Sequence, residues 1–159
     1  MAAPFTHFVP RPAGRALRAT TLAVLAVLAV PAWAQSDPLA RAAAEKDAVV
    51  SDSGLVYRAL KEGTGASPAA TDVVRVHYRG SFPDGKEFDS SYSRGQPTSF
   101  PLNRVIKCWT EGLQRMKVGG KAKLTCPAAI AYGERGARGA IPPNAILQFE
   151  VELLGIEGR

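Results

Sequence analysis

The side chains able to do chemistry in this chain are few, and most are aromatic. They are Tyr78, Phe88, Trp109, Tyr132 and Phe149, with the carboxylate of Asp89 directly after Phe88. Nothing supports a Ser/His/Asp or Cys/His relay. The chain has two histidines, and His7 falls in an N-terminal leader, which leaves His77 alone. No Gly-x-x-x-x-Gly-Lys phosphate loop occurs. Two Cys and two His without ligand spacing make no zinc site. Aromatic rings held near turns can pack into a core, their usual fate, or line a dry pocket for an apolar ring. The pattern by itself leaves both readings open. A lone His on the polar side of a strand is most often surface, so His77 receives no chemical role.

The elements that must hold these rings read mainly as strands. Val73–Gly80 has period two, with Val74, Val76 and Tyr78 on one face and Arg75, His77 and Arg79 on the other. Leu55–Leu60 is a further strand. Pro83-Asp84-Gly85-Lys86 has turn chemistry, and Ser99-Phe100-Pro101-Leu102 reads as a short edge strand, where a proline is tolerated. Trp109–Met116 is the one helix of the domain, with Trp109, Leu113 and Met116 on a common face and Gly119-Gly120 as its stop. Lys121–Cys126 and Ile146–Leu154 close the chain. In the last, Leu147, Phe149, Val151 and Leu153 alternate with Gln148, Glu150 and Glu152. The expected fold class is α+β, an antiparallel β-sheet curled around one short α-helix.

The ends carry a different kind of information. Arg11, Arg15 and Arg18 precede the ten-residue apolar run Thr21–Val30, then Pro31 and Ala32-Trp33-Ala34. That order is a secretory signal peptide, residues 1–34, cut near Ala34/Gln35. The alternative, a membrane anchor, would need roughly 20 apolar residues, so stable membrane insertion after cleavage is not expected. No cysteine lies near the cut, so a lipid anchor there is excluded. Residues 35–53 read as an N-terminal extension with a short capped helix start at Asp37-Pro38, and residues 54–157 as the domain. The +6 net charge comes from 20 basic and 14 acidic residues, and three of the arginines lie in the leader. The remaining +3 is scattered and gives no case for nucleic acid. The expected location is periplasmic or secreted. Two cysteines in an exported domain, Cys108 and Cys126, favour one disulfide; two buried thiols are the alternative.

Val76-His77-Tyr78-Arg79-Gly80, Asp84-Gly85-Lys86-Glu87-Phe88-Asp89-Ser90-Ser91, Val105-Ile106-Lys107-Cys108-Trp109-Thr110-Glu111-Gly112, Ala131-Tyr132-Gly133 and Ile141-Pro142-Pro143-Asn144 occur in this order. Together they resemble the signature of the FKBP-type peptidyl-prolyl cis–trans isomerases, exported bacterial members included, from about Gly54 to Ile156. The resemblance implies a pocket floored by Trp109 and walled by Tyr78, Phe88 and Phe149. Val105 and Ile106 form its rim, Ile141 contributes to substrate binding, the Ile106 N–H meets a substrate carbonyl, and the Tyr132 hydroxyl meets the next. Tyr78, Asp89 and Tyr132 are the implied catalytic residues. The implied partners are proline-containing unfolded or exported polypeptides, with macrolides as a further ligand class, and no cofactor is implied.

Such a reaction breaks no bond, so the missing nucleophile, metal and general base agree with it. Three features depart from the family pattern. Thr98 stands where many members place a large wall residue. The loop bearing Ala137, Arg138 and Ala140 is small and charged, and Cys108 replaces a usual glycine before Trp109. A bridge from Cys108 to Cys126 would tie the helix start to the sheet. The competing functional reading is a chaperone-like binding module that holds unfolded chains, with turnover incidental.

Overall fold

The computed structural model describes residues 37–158. The expected signal peptide and its cleavage point lie outside the described residues. The chain runs α1 (Pro38–Ala43), β1 (Ala48–Val50), β2 (Val56–Lys61), β3 (Val73–Ser81), β4 (Glu87–Ser90), β5 (Thr98–Pro101), α2 (Lys107–Gln114), β6 (Lys121–Cys126) and β7 (Leu147–Ile156). All strands join one antiparallel sheet of order β1-β2-β6-β7-β3-β4, with β5 also on β3. The curled α+β sheet with few helices is the expected fold class. No helix among the described residues is long and apolar enough to cross a membrane.

β3 organises the site. Its period-two pattern puts Val74, Val76 and Tyr78 in the core and leaves Arg75 and Arg79 exposed. One edge pairs with β7 along its length. The other is shared: β5 covers Val73–Val76 and β4 covers Arg79–Ser81. At the junction Ser91 takes over the backbone of Tyr78. Its N–H donates to the Tyr78 carbonyl at 2.9 Å, and its Oγ accepts from the Tyr78 N–H at 2.8 Å. The 91–97 loop therefore departs from the sheet directly over Tyr78.

β7 buries Leu147, Phe149, Val151 and Leu153, as its alternation predicts, and these meet the inward residues of β3, β6 and α2 in one core. α2 packs against β6 with its glycine inward. A Cβ at Gly112 would lie 2.8 Å from both Leu124 methyls, so the close approach requires glycine. The helix differs from its expected bounds at both ends. It begins at Lys107, two residues earlier and directly after the Val105-Ile106 rim, and ends at Gln114. Arg115 and Met116 N–H groups turn back to Gly112 and Leu113 carbonyls at 3.2 and 3.0 Å, a tightened last turn that stops the helix ahead of the glycines. Gly119, at φ +89°, instead makes the turn into β6.

The segment before Gly54 also differs from expectation. Ala48–Val50 pairs with Val56–Arg58, so the sheet starts inside the 35–53 extension. Asp37 caps α1 through the Leu39 N–H at 3.0 Å, with Pro38 in the first turn. Glu45 then reaches Arg58 of β2 at 2.5 Å and Lys123 of β6 at 2.7 Å, which clamps the segment to two strands.

Candidate active site

Trp109 enters the first turn of α2 and is 4% exposed. Three rings stand nearly perpendicular to its indole. Tyr78 from β3 lies at 5.1 Å and 84°, Phe100 from β5 at 5.6 Å and 87°, and Phe149 from β7 at 5.4 Å and 87°. Phe88 from β4 meets Phe149 at 5.6 Å and 90°. Edge-to-face contacts of this kind favour the arrangement by about 0.5–1.5 kcal/mol each beyond area burial. The result is a floor with upright walls enclosing about 330 Å³, lined by Tyr78, Phe88, Asp89, Phe100, Arg104, Val105, Ile106, Trp109, Tyr132 and Phe149. Gly80 makes two of the walls possible: a Cβ there would come within 2.6 Å of Phe88 and 3.0 Å of Phe149. The Trp109 Nε1–H is buried with no protein acceptor.

The cavity's polar side is one network. The Tyr78 hydroxyl donates to Asp89 Oδ2 at 2.5 Å and accepts from Arg94 Nη2 at 2.9 Å. Arg94 also pairs with the other Asp89 oxygen, donates to Thr98 Oγ1 at 3.3 Å, and lies 5.5 Å from the centre of the Tyr78 ring. Burial works against the Asp89 charge, but the hydrogen bonds from Tyr78 and Arg94 outweigh it and hold the carboxyl below its ordinary range. Burial, then the neighbouring carboxylate, pushes the Tyr78 phenol up. At neutral pH the site thus presents a neutral phenol and a compensated carboxylate.

The rim carries the remaining donors. Ile106 caps α2, and its carbonyl accepts from the Trp109 and Thr110 N–H groups, while its own N–H stays outside the helix ladder. Tyr132, 42% exposed, lines the same cavity from the start of the 3₁₀ turn Gly133–Arg135. Cys108 and Cys126, both fully buried, form a disulfide with Cα atoms 5.9 Å apart. It joins the residue before the floor to the end of β6, where the chain turns through Pro127 towards Tyr132.

Eight of the nine residues expected to bind or catalyse therefore surround one cavity. Ile141 does not. It is 6% exposed, its side chain belongs to the core, and its backbone pairs both ways with Ala137 at 2.8 and 2.9 Å. It backs a separate shallow concavity under the Arg135–Pro143 loop. The wall absent at Thr98 is supplied two residues later by Phe100, whose side chain shares the inward face of β5. Sequence reasoning also missed Arg94 and Arg104. Arg94 sits in a polar loop with no periodicity, and only the fold returns that loop over Tyr78. His77 is more than surface: its ring stacks on Tyr92 at 4.6 Å and 13°, and its Nδ1 lies 2.9 Å from Ser91 Oγ.

Residues 65–154 match the model of the family described as FKBP-type peptidyl-prolyl cis-trans isomerase. The chain is 58% identical over 115 residues to the FKBP-type peptidyl-prolyl cis-trans isomerase FkpA of Aeromonas hydrophila, covering 72% of this chain and 42% of the relative. It is 55% identical over 114 residues to the FKBP-type 22 kDa peptidyl-prolyl cis-trans isomerase of Escherichia coli (strain K12), covering 71% and 55%. Among solved structures, FkpA from Escherichia coli superposes with a TM-score of 0.72 at 50% identity, over 74% of this chain and 55% of that one. The chain spans about half the length of the curated relatives it matches. With the family model covering more than half of the residues and the aromatic cavity built from the matched segment, the chain belongs to the FKBP-type peptidyl-prolyl cis-trans isomerase family.

Proposed function

We propose that this chain accelerates cis–trans isomerisation of Xaa-Pro bonds in polypeptides, and that it does so on exported proteins as they fold. The supporting observation is the indole floor with three perpendicular aromatic walls, bordered by a single neutralised carboxylate. A proline ring is apolar and compact, so such a slot accepts it without burying an unpaired polar side-chain group.

The chemistry asks for little else. The amide's resonance sets a barrier near 18–20 kcal/mol, and spontaneous exchange takes roughly 10–100 s. In the twisted state that resonance is lost, so the carbonyl is less polar and suits an apolar surround better than the planar amide does. Each about 1.4 kcal/mol of such preference is worth roughly tenfold in rate. In this reading the Ile106 N–H and the Tyr132 hydroxyl hold flanking carbonyls, and Trp109, Phe88, Phe100 and Phe149 exclude water. Asp89, fixed by Tyr78 and Arg94, sits beside the rotating bond as a preorganised negative charge.

Residues 1–34 we assign as the signal peptide, 35–53 as the lead-in whose Ala48–Val50 extends the sheet, and 54–157 as the isomerase domain. The basic–apolar–Ala-Trp-Ala order supports export, as does a disulfide, which persists in oxidising compartments. Exchange NMR on an Ala-Leu-Pro-Phe peptide with protein lacking residues 1–34 tests the function. Cross-peaks between cis and trans forms should appear at catalytic protein concentrations and weaken with Asp89→Ala or Tyr78→Phe. Exchange at the spontaneous rate would leave only a binding module.

A further inference from the structure

We propose that Arg104 makes this site select chains with an acidic residue just after the proline, an inference that rests on the isomerase reading above. The cavity lining has two charged side chains, Asp89 and Arg104. Asp89 is spent internally: Tyr78 and Arg94 occupy both its oxygens. Arg104 is exposed and has no ion-pair partner among the described residues. Lys107, two residues beyond Val105, is exposed and does not line the cavity. The acid one turn further along α2, Glu111, is committed to Ser53 at 2.6 Å and Arg115 at 3.0 Å.

The backbone under Arg104 is fixed although its side chain is free. Arg104 ends the 3₁₀ turn Leu102–Arg104, whose Leu102 is fully buried. The Leu102 N–H donates to the Asp72 carbonyl at 3.0 Å, and the Leu102 carbonyl accepts from Thr110 Oγ1 at 2.6 Å. The guanidinium therefore starts from a defined point at the mouth, two residues before the Ile106 N–H. A chain whose proline rests on Trp109 and whose prolyl carbonyl meets that N–H leads its next residues past Val105 and Arg104. Residues before the proline leave on the opposite side, towards Tyr132. A carboxylate on the outgoing segment fits the planar fork of the guanidinium, which an amide or an ammonium does not.

The test compares catalysed exchange by NMR in three peptides that differ in one residue, Ala-Leu-Pro-Glu-Ala, Ala-Leu-Pro-Gln-Ala and Ala-Leu-Pro-Lys-Ala, each blocked at both ends. In the protein lacking residues 1–34, kcat/KM should rank Glu over Gln over Lys. Each step should be roughly two- to fivefold at low ionic strength, the range of a solvent-exposed pair. The ratio should collapse towards one in 1 M salt, where the screening length is about 3 Å. Arg104→Gln should remove the ranking, and Arg104→Glu should reverse it, an inversion that loss of packing cannot produce. Equal rates for all three peptides, or an unchanged ranking in Arg104→Glu, would overturn the selectivity while leaving the isomerase intact. Failure to accelerate any of the three would instead count against the isomerase reading.

Discussion

Reducing the Cys108–Cys126 bridge should destabilise the domain by an amount the chain geometry sets. The bridge closes a segment of sequence separation 18. Loop-closure entropy for that length corresponds to about 3 kcal/mol at 25 °C in favour of the bridged form. The 122 described residues, at about 2.1 cal/mol/K each, give an unfolding entropy of roughly 0.26 kcal/mol/K, so the melting temperature should fall by about 12 °C. Both cysteines are fully buried, so a reductant reaches them only after the chain opens. The protein is therefore unfolded in reductant, refolded in its presence, checked for two free thiols, and melted by circular dichroism beside the oxidised form. A thiol-blocked sample separates bridge loss from re-oxidation. A reduced protein melting within about 2 °C of the oxidised one would refute the reasoning, because a bridge that constrains the unfolded chain cannot be silent.

Other consequences can be checked independently. Arg94→Ala should lower kcat/KM, since it leaves Asp89 held by Tyr78 alone and uncompensated in charge, while the melting temperature moves little because Arg94 is exposed; peptide exchange and calorimetry read the two together. The Asp89 carboxyl is held below its ordinary range, so its contribution to stability is fully present above the unfolded aspartate value of about 3.9. That contribution disappears as pH falls through the lower folded value, and acid melts of Asp89→Asn should lose less stability over that interval than wild type. Gly80→Ala should cost about 1–3 kcal/mol and reduce activity, because the added methyl overlaps Phe88 and Phe149; urea unfolding alongside peptide exchange measures both. Glu45→Ala removes two ion pairs and should cost on the order of 1 kcal/mol, with an effect that shrinks in high salt.

Much of the fold is local enough to be legible along the chain. The alternation in Val73–Ser81 and Leu147–Ile156 states which face is buried, because side-chain direction along a strand follows from the backbone alone. The spacing of Trp109 and Leu113 likewise states which side of α2 is buried. Five of the six aromatic site residues were legible for a related reason: Tyr78, Phe88, Trp109 and Tyr132 sit within ordered motifs, and Phe149 on an alternating strand. What stayed hidden depends on distance in space. Arg94 lies 16 residues from Tyr78 in a loop whose path is set by β4 and β5 sharing one edge of β3. Phe100 becomes a wall, and Thr98 a partner of Arg94, through the register of β5 on β3. Ile141 turns to the core because its backbone pairs with Ala137 in a tight loop, which no motif announces.

The residues alone determined the strand faces, the buried side of α2 and the family, since these rest on periodicity, turn chemistry and ordered motifs that act over a few neighbours. Tertiary structure decided which rings stand upright around Trp109, which arginine neutralises Asp89, which arginine is left at the mouth, and that Cys108 and Cys126 meet. Those outcomes come from closing long loops onto a curled sheet, where partners distant in sequence are brought within hydrogen-bond or ring-contact range only by the pairing of strands between them.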